Sequence, residues 1–227
     1  MRSKRRIFLG LIFIIPLIFI FSQCLTSNKK TDPRGEAFAG SSTCIKCHQD
    51  VYDNYLHTAH FSTTRLADIH SIGGSFAHGA NEYSFNKDMK VVMEKRGDGL
   101  YQVSYLKGKQ VESERFDITF GSIKAESYLS WRGNALYQLP MSYFYALNSW
   151  TNSPGYDSVS ADFSRMIGTR CFECHSSYIR ALPSQMQSLA IRTIDYDKNS
   201  LILGIDCERC HGPAANHVNY HLAYPEE

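Results

Sequence analysis

The sequence predicts an α+β protein in which two segments rich in helices and loops flank a central β-rich segment. Cysteine and histidine concentrate in the flanking segments, 41–80 and 161–227, whereas residues 81–160 contain neither. In that middle stretch apolar residues alternate with polar ones at a period of two, which is typical of half-buried strands. At 227 residues the chain suits one or two small domains.

Three copies of a C-x-x-C-H motif carry the chemistry of the flanking segments. Two cysteines three residues apart can each form a thioether with one vinyl group of the same haem, and the adjacent histidine then binds the iron as its proximal ligand. The sequence therefore predicts three covalently bound haem c groups, with a β-rich, haem-free insert between haem 1 and haems 2–3. The predicted thioether cysteines are Cys44, Cys47, Cys171, Cys174, Cys207 and Cys210, and the predicted proximal ligands are His48, His175 and His211.

Paired cysteines also occur in zinc ribbons, in thioredoxin-like redox motifs and in disulfides. A zinc ribbon does not require a histidine directly after each pair, and a thioredoxin-like motif needs a single pair in a βαβ setting. Disulfides are permitted in an exported chain, but thioethers would use the same six sulfurs. Haem attachment is therefore favoured over all three alternatives.

The charge balance gives no sign of a polyanionic partner. The formal net charge is +2, and 20% of the residues are charged, so nucleic-acid binding is not expected. Tyrosine and phenylalanine are frequent, with 14 and 13 copies. Their rings suit the walls of haem pockets as well as ordinary core packing.

Residues 1–24 have the pattern of an export signal. A cationic start precedes an apolar run over 7–21, which as a helix would span only about 22 Å of a hydrocarbon core roughly 30 Å thick. Cleavage is thus favoured over a permanent anchor. Cys24 follows the run and is a candidate for lipidation, the alternative being a cysteine lost with the signal peptide. We expect an exported protein of the periplasm or cell envelope, anchored at the membrane as a lipoprotein, with residues 25–40 as a flexible linker.

In the first haem segment, the spacing of apolar residues after His48 predicts a helix from about Cys47 to His60. On such a helix the two histidines would lie about 18 Å apart along the axis. His60 could then reach only the iron of a neighbouring haem, and it would tie the first segment to the last. Beyond the three proximal histidines, six others are present, enough to give every iron a second histidine.

Three alternating runs predict a β-meander in the insert, with turns at Asp98-Gly99 and Lys107–Lys109. A helix-like stretch is expected near Lys124–Trp131, followed by further strands and loops. The insert is either a docking or haem-shielding module or simply scaffold. The predicted strands lie at Met89–Met93, Tyr101–Tyr105 and Phe116–Phe120.

In the second haem segment, Gly212-Pro213 directly after His211 must stop any helix. The chain turns there, which allows His217 to face a haem other than its own. His217 and His221 are four residues apart and can share one face of a helix.

The first and last motifs, with their flanking residues, resemble the cytochrome c-554 and c-prime family of multihaem c-type cytochromes. The stretches FDITFG and ALYQLPMSYF also resemble the haem-free insert of larger members, so the resemblance covers about residues 38–221. The matching positions at the first motif are Gly40-Ser41, Cys44–His48, Tyr52, Tyr55, Thr58 and His60. Those at the last motif are Gly204-Ile205, Cys207–His211, Gly212-Pro213 and His217.

This resemblance implies electron transfer through closely packed haems whose irons mostly have two histidine ligands. On the matching positions it implies His60 and His217 as distal ligands, with His78 as a weaker match. Tyr55 stands where the family commonly has tryptophan, and Ala214 replaces a usual glycine. A fourth motif that members often carry is absent, so the chain is expected to be either a short member or half of a larger assembly.

The favoured function is an electron carrier between redox partner proteins, because an iron with two protein ligands cannot bind a substrate. The competing function is a multihaem oxidoreductase with one open haem that acts on a small nitrogen or sulfur species. Such a site would need proton donors near the iron, and the sequence assigns no catalytic residue. A membrane-anchored binding or assembly subunit is the third alternative.

Overall fold

The computed structural model describes residues 31–183 and 194–225. The described residues from Pro33 onward belong to one compact unit. The predictions of an export signal over 1–24 and of lipidation at Cys24 lie outside the described residues. In the part of the chain that is described, no helix is long and apolar enough to cross a membrane.

Strands carry most of the regular structure, and the helices are short. The helices are α1 (Ser41–Cys44), α2 (Gln49–Tyr55), α3 (Ala59–Ser62), α4 (Thr169–His175), α5 (Cys207–His211) and α6 (Ala215–Ala223). The strands are β1 (Thr64–Leu66), β2 (Glu82–Ser84), β3 (Met89–Arg96), β4 (Gly99–Leu106), β5 (Lys109–Arg115), β6 (Ile118–Phe120), β7 (Ala125–Arg132), β8 (Ala135–Gln138), β9 (Met141–Phe144), β10 (Ser149–Asn152), β11 (Ser176–Ala181) and β12 (Tyr196–Leu203). The fold is mixed and strand-rich, and its cysteine-bearing segments are less helical than expected.

The predicted meander is confirmed in part, because β2, β3, β4 and β5 form an antiparallel sheet in sequence order, and the predicted strands Met89–Met93 and Tyr101–Tyr105 lie in β3 and β4. The third predicted strand, Phe116–Phe120, is wrong as a member of this sheet, because it contributes β6 to a second sheet and β5 takes its place. The turn between β3 and β4 is Gly97-Asp98, one residue earlier than predicted. The next turn is at the predicted place, where Lys107 and Gly108 have φ values of 50° and 76°. Both are the left-handed conformations that a tight two-residue hairpin turn requires.

A second sheet has the order β1-β6-β7-β9-β10, and β8 also pairs with β7. The predicted helix near Lys124–Trp131 is wrong, because these residues form strand β7. That strand has β6 on one side and β8 and β9 on the other. Pairing on both sides outweighs a local preference for helix, which is a weak determinant of structure.

Two clusters of buried side chains hold the sheets. The first lies between the meander and the second sheet and centres on Trp150, whose ring contacts those of Phe116 and Tyr128. The second cluster, which includes Phe120 and Phe172, lies against the second C-x-x-C-H motif. Because Phe172 is a residue of that motif and only 4% exposed, the motif is packed directly into the core of the sheet.

The predicted helix from Cys47 to His60 is interrupted. Helix α2 ends at Tyr55, and α3 begins four residues later. Thr58 lies between them with an extended backbone, and its hydroxyl accepts a hydrogen bond from the backbone N–H of Phe61 at 3.2 Å. A threonine in this position caps the start of a helix. The inferred separation of about 18 Å between His48 and His60, which assumed one straight helix, therefore no longer follows.

Glu126 is a fully buried carboxylate that joins β7 to the surrounding loops. It pairs with Arg65 and accepts hydrogen bonds from the hydroxyls of Tyr128 and Tyr145, both at 2.6 Å, and from the N–H of Gly73 at 2.8 Å. Burial, followed by the hydrogen bond to Glu126, raises the pKa of Tyr145 to about 12. Glu126 is the shared partner of all these groups, so its removal should lower the free energy of unfolding.

The substitution Glu126→Ala is expected to lower the free energy of unfolding by about 3–5 kcal/mol, because it removes the buried carboxylate that pairs with the Arg65 charge and accepts from two phenols. Glu82→Ala is the matched control. Glu82 pairs with Lys90 at the surface, where both side chains are more than two-fifths exposed, and its loss should cost less than about 1 kcal/mol. Urea denaturation of both variants measures the difference, and equal losses would contradict the assignment.

Candidate functional site

The third motif, which forms α5, contacts both of the other motifs. Cys207 lies beside Cys44 of the first motif, and burial, followed by the nearby Cys207, raises the pKa of Cys44. On the other side, the guanidinium of Arg209 donates to the backbone oxygen of Glu173 in the second motif at 3.1 Å. The three motifs are thus neighbours in the order first, third, second.

Glu208, between the two cysteines of the third motif, is the anchor of α5. Its side chain is 0% exposed and accepts hydrogen bonds from the backbone N–H groups of Ala39, Gly40 and Ala214 at 2.8–2.9 Å. A guanidinium nitrogen of Arg34 lies 3.1 Å from the same carboxylate. One buried carboxylate therefore holds the chain before the first motif and the chain after the third.

Arg34 also binds Asp206, with both guanidinium nitrogens donating at 3.1 and 2.8 Å. Asp206 in turn caps α5 by accepting from the N–H of Arg209 at 2.9 Å. The side chains of Arg34 and Asp206 are each 6% exposed. Residues 33–40, predicted from composition to be part of a flexible linker, are therefore held against the third motif.

The ring of His217 lies beside that of His48 in the first motif. Gly212, with φ 79°, ends α5 after His211 as predicted, and the chain then turns into α6. The ring centroids of His217 and His48 are 6.2 Å apart, with their planes inclined by 18°. When two imidazoles bind the same metal ion from opposite sides, each through a nitrogen at about 2 Å, their ring centroids lie about this far apart.

His175 of the second motif is fixed on two sides. Its ring is parallel to that of Phe120, with centroids 4.5 Å apart and planes inclined by 8°. Its Nδ1 atom lies 3.1 Å from the hydroxyl of Thr63, and the hydroxyl of Thr64 donates to the backbone oxygen of His175. Thr63, just before β1, and Phe120, at the end of β6, therefore set the orientation of this ring, whereas Thr64 contacts the backbone.

A cavity of about 450 Å³ adjoins the second motif. One side is formed by Cys171, Cys174 and His175, and the other by residues of the insert. Its lining is mostly apolar, with a few polar side chains that include Gln138 and Arg170. Among the described residues that line it, His175 is the single histidine, and none is a methionine.

His60 lies beside the chain that leads into the third motif. Its backbone oxygen accepts from the N–H of Ile205 at 2.9 Å, and Gly204 passes so close that a Cβ atom there would lie 2.5 Å from the backbone oxygen of Phe61. The predicted tie between the first and last segments is thus made by the backbone. The side chain of His60 is exposed, and within 31–183 and 194–225 its ring contacts no motif histidine.

Tyr55 also lies where the first segment meets the third motif, near Cys207 and Asp206. Burial, with smaller contributions from Cys207 and Asp206, raises the pKa of Tyr55 to about 12.

His78, by contrast, is exposed in the loop between β1 and β2. In the described part of the chain it makes no hydrogen bond or ring contact with any of the three motifs. His221 follows on α6 with its ring centroid 4.7 Å from that of His217.

The comparisons with known proteins give one structural likeness. No protein-family profile matches the chain, and no curated protein matches it. The chain is similar to the crystal structure of outer cell wall cytochrome OcwA, with 17% identity and a TM-score of 0.47. The likeness covers 82% of this chain and 34% of that one, so this chain spans about a third of the length of that protein.

The anchoring role of Glu208 gives a test of the site. Glu208→Ala should lower the free energy of unfolding by about 3–5 kcal/mol, because three backbone N–H groups and the Arg34 charge lose a buried acceptor. Protease cleavage within residues 33–40 should also increase, since that segment would be released. Urea denaturation and limited proteolysis measure the two effects.

Glu173→Ala is the matched control, because Glu173 also lies on a motif helix but its side chain is exposed. It should change the free energy of unfolding by less than about 0.5 kcal/mol. Loss of stability in both variants, or unchanged proteolysis in Glu208→Ala, would show that Glu208 does not anchor this segment.

Proposed function

We propose that the protein is an exported c-type cytochrome that carries three covalently bound haems and transfers electrons between redox partner proteins. The observation that carries the proposal is that α5 adjoins both of the other C-x-x-C-H motifs, with Cys207 beside Cys44 on one side and Arg209 hydrogen-bonded to Glu173 on the other. Motifs far apart in the chain come together as a row of three. Haem c bound at each motif supplies reversible one-electron chemistry.

The residues at the first site fit a haem iron with two histidine ligands. His48 is the proximal residue, and the 6.2 Å spacing to His217 leaves room for one metal ion between the two rings. His60 and His78 stay weaker candidates as distal ligands, since in the described part of the chain neither ring lies beside a motif histidine, as that of His217 does. The cysteines of the three motifs provide the thioethers, two for each haem.

The proposed setting follows from the sequence. An N-terminal signal would carry the chain to the periplasm or cell envelope, and lipidation at Cys24 would hold it at the membrane. The electron donor and acceptor would be proteins, and nucleic acid is not expected as a partner, given a formal net charge of +2. The insert supports a shielding role, because its strands form one side of the cavity at the second motif.

The number of haems is the first test. The intact mass of the mature protein should correspond to three covalent haems, and a Cys207→Ala, Cys210→Ala double variant should retain two at most. An intact mass without covalent haem, or with zinc in its place, would overturn the proposal.

The ligand assignment at the first site has its own test. His217→Met should raise the reduction potential of one haem, since a methionine ligand favours the reduced iron, while all three covalent haems remain. The control is His78→Met, which changes an exposed histidine in a loop and should leave every potential unchanged. Redox titration followed by absorbance measures both. An unchanged titration of His217→Met would show that His217 is not a ligand, and a change in His78→Met would return His78 to that role.

A second candidate function, an oxidoreductase with one open haem, is favoured by the cavity at the second motif. The described residues lining it offer His175 as one ligand and no second histidine or methionine. Ser127, Gln138 and Arg170 are the polar groups that could hold a small anionic or polar molecule there. Such a site would act on a small nitrogen or sulfur species.

Carbon monoxide distinguishes the two functions. In the reduced protein an open second site should bind carbon monoxide at one haem of three, and Gln138→Leu should shift the stretching frequency of the bound molecule because it removes a polar neighbour. Infrared and absorbance spectra give the result. Reduced protein that binds no carbon monoxide, with all irons low-spin when oxidised, would leave the electron carrier alone.

A further inference from the structure

The ring of His175 has a side-chain partner that comes from a distant part of the chain. Thr63 precedes β1, and its hydroxyl lies 3.1 Å from Nδ1 of His175 across 112 positions of sequence. The backbone oxygen of Thr63 lies at 3.5 Å from the same nitrogen, at the limit of a hydrogen bond. The hydroxyl is therefore the closer of the two oxygen partners of Nδ1.

This contact determines which ring nitrogen of His175 carries the proton and which has the lone pair that could bind a metal. A neutral imidazole carries its proton on one nitrogen and has a lone pair on the other. If Nδ1–H donates to the hydroxyl oxygen of Thr63, the lone pair is on Nε2, and Nε2 is the atom available to an iron. The parallel ring of Phe120 at 4.5 Å restricts rotation of the imidazole, so the hydrogen bond and the stacking act together.

The second motif differs from the other two in having a hydrogen-bond partner for the ring of its histidine. In the described residues, no hydrogen bond reaches a ring nitrogen of His48 or His211, whose side chains are exposed, whereas His175 is half-buried. A partner that accepts from the remote N–H makes a histidine a more basic ligand. A more basic ligand favours the oxidised iron, and second-sphere hydrogen bonds are one of the means by which a protein sets a haem potential.

We propose that Thr63 is a positioning residue for His175, which holds Nε2 toward the iron of the second haem and lowers the reduction potential of that haem. The proposal rests on the proposed function, because it requires a haem at the second motif. It adds a residue outside the C-x-x-C-H motifs that sets the properties of one site in the row. No electron or proton is consumed by this role, since Thr63 acts through a hydrogen bond alone.

The test compares three variants of the holoprotein. Thr63→Val keeps the shape of the side chain and removes the hydroxyl, so one of the three redox transitions should move to higher potential while the other two stay. Thr63→Ser keeps the hydroxyl and should restore the original potential. Thr64→Val is the matched control, because among the described residues the Thr64 hydroxyl donates to the backbone oxygen of His175 and not to its ring, so its loss should leave the potential of the second haem unchanged.

Redox titration and the electron paramagnetic resonance spectrum of the oxidised protein report the outcome, and neither depends on activity. A higher potential in Thr63→Val that serine reverses supports the proposal. Unchanged potentials in Thr63→Val, or an equal shift in Thr64→Val, would overturn it. The intact mass is measured on each variant. Fewer than three covalent haems in the unaltered protein would refute the proposed function, whereas three haems with no shift in Thr63→Val would refute only this inference.

Discussion

The buried carboxylate of Glu208 is the interaction on which the arrangement of the three motifs depends. A charged group without solvent contact must have every acceptor site filled, and Glu208 fills its own with backbone N–H groups from both ends of the compact unit and with Arg34. This fixes α5 between the residues before the first motif and the residues after the third. The contacts that α5 makes through Cys207 and Arg209 then follow from its fixed position.

The sheet plays a different part at the second motif. Phe172 anchors α4 in the second buried cluster, and Phe120 contacts both Phe172 and the ring of His175. The insert is thus packed against this motif, and it forms part of the wall of the adjoining cavity. The first and third motifs are held mainly by hydrogen bonds and ion pairs, whereas the second is held by apolar packing. Helix α5, which lies next to both of the other motifs, therefore joins a region held by polar contacts to one held by apolar packing.

What could be predicted from the sequence is what depends on nearby residues. The hairpin at Lys107-Gly108 and the stop after His211 depend on local backbone preferences, and both were found. Strand β7 was missed because its neighbours on both sides decide its conformation, and the break at Thr58 was missed because helical spacing of apolar residues does not reveal a capping side chain. Glu208 could not be recognised as an anchor, since its partners Ala39 and Gly40 lie about 170 positions earlier. The same distance concealed which motif histidine lies beside His217, and the structure places His48 there.

The contacts of Thr63 and Thr64 with His175 also explain how a large insert can lie between two segments that bear C-x-x-C-H motifs. They join the chain before the insert to the end of α4 after it, so the segments on either side of the insert meet at one place. A module whose two ends lie together can be added to a scaffold without moving the parts on either side. The three motifs then need only short-range contacts at α5 to keep their relative positions. The insert can therefore change in size and surface without altering the contacts that Thr63 and Thr64 make with His175 at its base.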